Sequence, residues 1–264
     1  MQSLKSDQFL SEKAMDAFLE LCAVRDSQLV TAFNEVNIDK AGYITRLGST
    51  YLNSQFSSLL MQSDLSVEEL LRHDLVQALL QNHTIQKSYR TVIPILWKGG
   101  DHHDEWFLII LDTSNHTVNF IFTRFSAMIE SPISDDSKAA LIVNLREKLE
   151  VLLSPVTIQQ QQQQQPADDI TIGEPNIEQQ PPIPWTFVNY FNSATEDQPV
   201  DSQRRIPLTH NHGVPEKAAS GIYIMYSVEC DYFDAPIFAP LDMDWINIRR
   251  TLAYCIINEQ LLLS

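Results

Sequence analysis

The sequence predicts an α+β fold on three observations. Apolar residues recur at helical spacing in several windows between residues 7 and 82. Three strand-like runs then follow one another closely between residues 88 and 122. Helical periodicity returns at 138–153 and twice more towards the end of the chain. This order lacks the alternating strand–helix rhythm of a doubly wound sheet.

Taken in order, residues 7–33 carry Phe9, Leu10, Ala14, Ala17, Phe18, Leu21, Val24, Leu29 and Phe33 at spacings that fit one or two amphipathic helices. Gly42 and Gly48 mark turns in the mixed stretch that follows. Tyr51 to Gln62 reads as a helix with Leu52, Phe56, Leu59 and Leu60 on one face. Ser66 followed by Glu69 is a capping box that opens a single helix through Asn82. Ser88 to Trp97 is rich in β-branched and aromatic residues and reads as a strand. Glu105 to Leu111 is apolar on both faces, as a central strand is, and Thr117 to Phe122 is a third strand after a polar turn.

Lys138 to Leu153 is helical, and a break follows with seven glutamines at Gln159–Gln165 and Pro- and acid-rich sequence beyond. Such a composition buries too little surface to offset its ordering entropy, so residues 155–182 read as a disordered insertion. Strand pattern resumes at Trp185–Tyr190, residues 192–218 read as an irregular loop, and helices are expected at Ser220–Asp231 and Met243–Leu262.

The 264 residues are 44% hydrophobic, enough for a sizeable core. With 18 Lys and Arg against 34 Asp and Glu, the formal charge is −16. That balance argues against nucleic acid and against anionic membrane surfaces as partners, since both are bound by cations. Cys22, Cys230 and Cys255 are odd in number and far apart, which suggests neither a disulfide framework nor a zinc site. No apolar run reaches membrane-spanning length and the first residues lack a secretory h-region, so the expectation is a soluble intracellular protein of the nucleus or cytoplasm. Glycine-rich phosphate loops, HExxH and GxSxG are absent, and no cofactor or metal is implied.

Three windows together resemble the ubiquitin-like-protein-specific (SUMO/sentrin) cysteine proteases. Tyr51-Leu52-Asn53-Ser54 is similar to that family's Trp-Leu-Asn-Asp at the head of a helix. Val92-Ile93-Pro94-Ile95 followed by Glu105-Trp106 and the apolar run into Asp112 resembles its paired strands with His-Trp. Ser220-Gly221-Ile222-Tyr223-Ile224 resembles its Asp-Cys-Gly-Val-Phe-Val, and Asp242-Met243 with Ile248–Leu252 follows in the family's order. The resemblance implies a papain-like cysteine-peptidase fold, with a short mixed sheet flanked by helices, over residues 43–263. Residues 1–42 then form an N-terminal helical extension.

The chemistry of that family does not carry over. Thiol proteolysis needs a thiolate, a His base, an orienting acid and an oxyanion donor. The corresponding places hold Ser220, Glu105, Phe122 and Val214, and Ala219 replaces the Asp before the nucleophile. Among His102, His103, His210 and His212, the substitute base closest to the motif is His103, two residues before Glu105. The plainer reading puts His102 and His103 in a solvated loop, and Ser220 reads as a helix N-cap. Cys230 and Cys255 read as small core residues. Trp106 and Tyr51 match the aromatic pair that in the family encloses a modifier's diglycine tail, with core packing as the alternative. The resulting expectation is an inactive homologue that binds or scaffolds a ubiquitin-like modifier or a modified protein. An active peptidase using Ser220 and an unrelated α+β interaction domain are the alternatives.

Overall fold

The structure, a computed structural model, describes residues 10–40, 42, 43, 45–82, 84–98, 104–122, 135–154, 184–189, 216–232 and 245–258. The insertion at 155–182, His102, His103, His210, His212 and Val214 lie outside the described residues. These residues form an α+β fold around a five-stranded mixed sheet of order β1-β2-β3-β4-β5. Strands β2 (Arg90–Lys98), β3 (Asp104–Asp112) and β4 (Thr117–Phe122) make the antiparallel meander that their close spacing predicts. The short edges β1 (Thr50–Tyr51) and β5 (Thr186–Asn189) pair in parallel with β2 and β4.

Every residue of β3 from Glu105 to Asp112 is buried, so the strand serves both layers of the molecule. One layer holds Val92, Trp106, Leu108, Ile110 and Ile121 beneath α1 (Glu12–Asn37), α6 (Glu216–Tyr232) and α7 (Trp245–Ile257). The opposite layer holds Ile93, Ile95, Phe107, Ile109, Leu111, Val118 and Phe120. It packs on α2 (Ser54–Met61), α3 (Val67–Arg72), α4 (Asp74–Gln81) and α5 (Asp135–Leu152). Burying each of these Leu, Ile and Phe side chains contributes about 1.5–3 kcal/mol, so the two layers are where the fold draws its stability.

The N-terminal helix packs on the first layer through Met15, Phe18, Leu19 and Cys22. Ser11 caps it by accepting from the Ala14 N–H at 3.3 Å, and Leu10 before the cap and Met15 one turn later are both fully buried in the first layer. This is a hydrophobic staple, which fixes the angle at which the chain enters the helix. The Asp16 carboxylate then accepts from Ser54 N (2.7 Å) and Ser54 Oγ (2.6 Å), tying α1 to the start of α2.

Two local readings are corrected. Tyr51 lies in β1 and not on a helix, because Asn53 holds extended geometry and caps Phe56 N–H through its side chain, starting α2 after it. The helix read through Asn82 is two helices: His73 has ψ 134°, and its Nδ1 accepts from Leu75 N–H to start α4. The capping box at Ser66 and Glu69 is present in full. From α5, the Lys148 ammonium donates to Leu60 O (2.8 Å) and Gln62 O (2.5 Å), satisfying carbonyls left open at the end of α2.

The β3–β4 turn is organised by Asp112, whose carboxylate accepts from Ser114 N (3.0 Å), Ser114 Oγ (2.6 Å), Asn115 N (3.1 Å) and Asn115 Nδ2 (2.9 Å). Burial pushes this carboxyl up, but these donors and the nearby Arg90 charge outweigh it and hold it below the usual Asp value. A depressed folded pKa stabilises the protein above the unfolded value near 3.9 and is lost as pH falls through the folded one. In thermal melts across pH, the wild type is therefore expected to lose stability below about pH 4 more steeply than Asp112→Asn. Parallel curves for the two proteins would assign the acid sensitivity to other groups.

Candidate functional site

Helix α6 runs against β3 and brings together residues far apart in sequence. Ser220 is fully buried, and its Oγ accepts the Trp106 backbone N–H at 3.3 Å. It is the fifth residue of α6, whose first residue is Glu216, so the N-cap reading is corrected. The preceding Glu216-Lys217-Ala218-Ala219 are strong helix formers, and they extend the helix one turn beyond the serine.

At Gly221 a side chain could not fit: a Cβ there would lie 2.7 Å from Leu10 Cβ, 2.8 Å from Leu10 Cδ2 and 2.9 Å from Trp106 Cδ1. This close approach lets Leu10, Trp106 and α6 meet at one point. Leu10 and Trp106 are both fully buried, and the indole Nε1 donates to the Leu10 carbonyl at 3.0 Å. Beside them, Glu12 pairs with Lys98 at the end of β2 at 3.1 Å. Trp106 is thus covered by the chain's own segment before α1.

Strand alternation separates the two positions that would have to cooperate in catalysis. Trp106 shares its face with Leu108 and Ile110, under α1 and α6. Glu105 is cross-strand to Trp97, which packs in the opposite layer with Phe107 and Ile109. Successive side chains of a strand point to opposite faces, so the buried Glu105 carboxyl faces away from the Ser220 side. Phe122 ends β4 opposite Phe107.

Tyr51 lies in the same layer as Trp106, partly buried, with Cys22, Asp26, Arg25 and Tyr232 around it. Burial pushes its phenol far up, reinforced by the negative charge of Asp26, so it is a neutral hydroxyl at any ordinary pH. Cys22, Cys230 and Cys255 are buried free thiols. Burial holds Cys22 well above and Cys230 above the usual thiol value, the reverse of what an attacking thiolate needs. Among the described residues no group of three or more His, Cys, Asp or Glu could hold a metal ion, and no helix is long and apolar enough to cross a membrane.

Two features of this site escaped sequence reasoning. One is Leu10, whose only signal is its place before the cap Ser11. The other is a polar link between α1 and α6, in which Arg25 Nη1 meets Glu229 Oε2 at 2.5 Å and Cys22 Sγ donates to Glu229 Oε1 at 3.5 Å. Residues 204 positions apart give no local pattern.

No family model matches the chain, and no curated protein does. Solved structures are similar at low identity. One is the C-terminal Ulp1 protease domain in complex with Smt3, the yeast ortholog of SUMO, with TM-score 0.48 and 15% identity over 98% of this chain and 80% of that one. Another is the Ulp1-like SUMO protease catalytic domain of Chaetomium thermophilum, with TM-score 0.49 and 14% identity over 97% and 75%. A third is the SUMO protease Ulp1 with its catalytic cysteine oxidised to a sulfenic acid, with TM-score 0.47 and 15% identity over 98% and 81%.

Proposed function

We propose that this chain is a catalytically inactive homologue of the ubiquitin-like-protein-specific proteases that binds a modifier of the SUMO type, or a protein carrying one. The observation that carries the reading is the use made of Ser220. In the nucleophile's place within the motif order stands a hydroxyl that is fully buried, lies a turn inside its helix and accepts a backbone N–H from the neighbouring strand. A nucleophile must be reachable by the carbonyl it attacks and must hand its proton to a base within hydrogen-bond reach. Ser220 is not reachable, and the Glu105 carboxyl in the base's place is on the other face of β3. Two of the windows that resemble the family meet at this point, the β2–β3 pair and α6, whereas Tyr51 of β1 is in register with Val92, four residues along β2 from Leu96, the partner of Trp106, and is near Tyr232 at the other end of α6. The meeting of those two windows supports keeping a modifier as the partner, with Trp106 as the candidate tail site; Tyr51 shares its layer but lies too far along the sheet to line the same point.

The test is hydrolysis of SUMO and ubiquitin carrying a fluorogenic group on the C-terminal glycine, alongside binding of each modifier by fluorescence polarisation. Release at the buffer rate is expected from both wild type and Ser220→Ala, with nanomolar to micromolar binding of one modifier. The substitution removes the Ser220 acceptor of the Trp106 N–H and is expected to cost about 1 kcal/mol of stability. Release that disappears in Ser220→Ala would make the chain an active peptidase.

A further inference from the structure

We propose that the segment Leu10–Glu12 is an intramolecular plug, which a modifier's C-terminal tail must displace to reach Trp106. This rests on the reading above, in which Trp106 belongs to a tail site, and adds how that site is controlled. Three contacts at separate atoms hold the plug. The Leu10 side chain fills the angle between Gly221 and the indole, where not even a glycine Cβ would fit. The Leu10 carbonyl accepts the indole N–H, a main-chain acceptor of the kind an extended tail would also present. Glu12 is fastened to Lys98 on the outside, 35% and 66% exposed, where the pair can open without disturbing the core.

An extended diglycine tail offers carbonyls and no side chains, so it can replace the Leu10 main chain at the indole N–H but not the leucine side chain against Gly221. The two occupants therefore exclude each other, and the staple of Leu10 on Met15 favours the closed form. When the competent state is a fraction of the whole, apparent affinity falls by that fraction. Releasing a fully buried leucine corresponds to a tail affinity about 10- to 100-fold higher.

The experiment uses the full chain in three forms: wild type, Leu10→Ser, and Glu12→Cys/Lys98→Cys joined by a short bis-maleimide with a reducible link. The native cysteines are buried, so the bridge forms at the introduced pair. Each form is titrated with SUMO ending in its diglycine and with SUMO lacking its last four residues. Leu10→Ser should bind the tailed modifier about 10- to 100-fold more tightly than wild type, with the tail-less modifier unchanged. The bridged form should bind both equally and regain tail dependence on reduction, a comparison that stands even if Leu10→Ser does not fold. Equal tail dependence in bridged and reduced protein would overturn the plug while leaving modifier binding in place. No binding of either modifier by any form would overturn the functional reading and the plug with it.

Discussion

Replacing Glu229 with Ala is expected to cost about 3 kcal/mol of folding stability, read as a shift of the urea midpoint, and to be among the most damaging single changes in the chain. The Arg25 side chain is 5% exposed, and Glu229 supplies the carboxylate 2.5 Å from its Nη1. Removing that carboxylate leaves a guanidinium in a low-dielectric layer, which typically costs about 3–5 kcal/mol. The lower end applies because two stabilising neighbours remain. The Tyr232 ring centroid lies 4.2 Å from the Arg25 guanidinium carbon, and the Asp26 carboxylate is close enough to feel its charge. Cys22 also loses the acceptor of its S–H, a smaller effect.

The double replacement Arg25→Met/Glu229→Leu separates the two parts of this cost. A buried ion pair repays its desolvation only in part, so apolar residues of similar size are expected to restore all but about 1 kcal/mol. A double variant as unstable as the sum of the single ones would mean that the two residues are not coupled and that each stabilises through other contacts, such as Arg25 with Tyr232 and Glu229 with Cys22. Because the pair joins α1 to α6, its loss is also expected to loosen the N-terminal helix before the sheet, with faster amide exchange in residues 12–26.

The sheet was legible where side-chain chemistry is periodic and close in sequence. Thr117–Phe122 coincides with its strand, and Glu105–Leu111, apolar on both faces, is the central strand buried on both sides. Two residues carry no period, so the edge strand Thr50–Tyr51 leaves no mark on the sequence, and Tyr-Leu-Asn ahead of a helix reads as part of it. At His73 the apolar pattern continues on both sides of the break, because Leu70 and Val76 both face the core. Only the extended backbone and the side-chain cap divide the two helices.

The candidate site was half legible, for a physical reason. Sequence order brought Trp106 and Ser220 forward, and in the structure they touch. The facing of β3 could not be read, because Glu-Trp-Phe-Leu-Ile-Ile-Leu has no polar side to betray its register. Which of Glu105 and Trp106 meets α6 is decided by packing: the first layer has room for an indole beside a glycine, and the second takes Trp97 with Glu105 across the strand pair. By spacing Leu10 is one apolar residue among nine in a helical pattern, whereas in the structure it sits ahead of that helix and covers Trp106.

Trp106→Ala is expected to cost about 3–5 kcal/mol, because it removes a fully buried indole from close packing and leaves a cavity against Leu10 and α6. Part of that cost is the Leu10 carbonyl, which loses its donor. Trp106→Phe keeps most of the volume without the N–H, and its smaller loss measures that bond together with the trimmed ring. Coupling to the N-terminal segment follows from the contact itself: in a double-mutant cycle, Leu10→Ser and Trp106→Ala should be non-additive by about 0.5–3 kcal/mol. An aromatic that only lines an open groove behaves in the opposite way, since its removal leaves stability within about 0.5 kcal/mol and falls wholly on ligand affinity. A stability loss under about 1 kcal/mol, with additive cycles, would place the indole in such a groove. The segment before α1 would then be unable to act as its cover, and the tail would have direct access to Trp106.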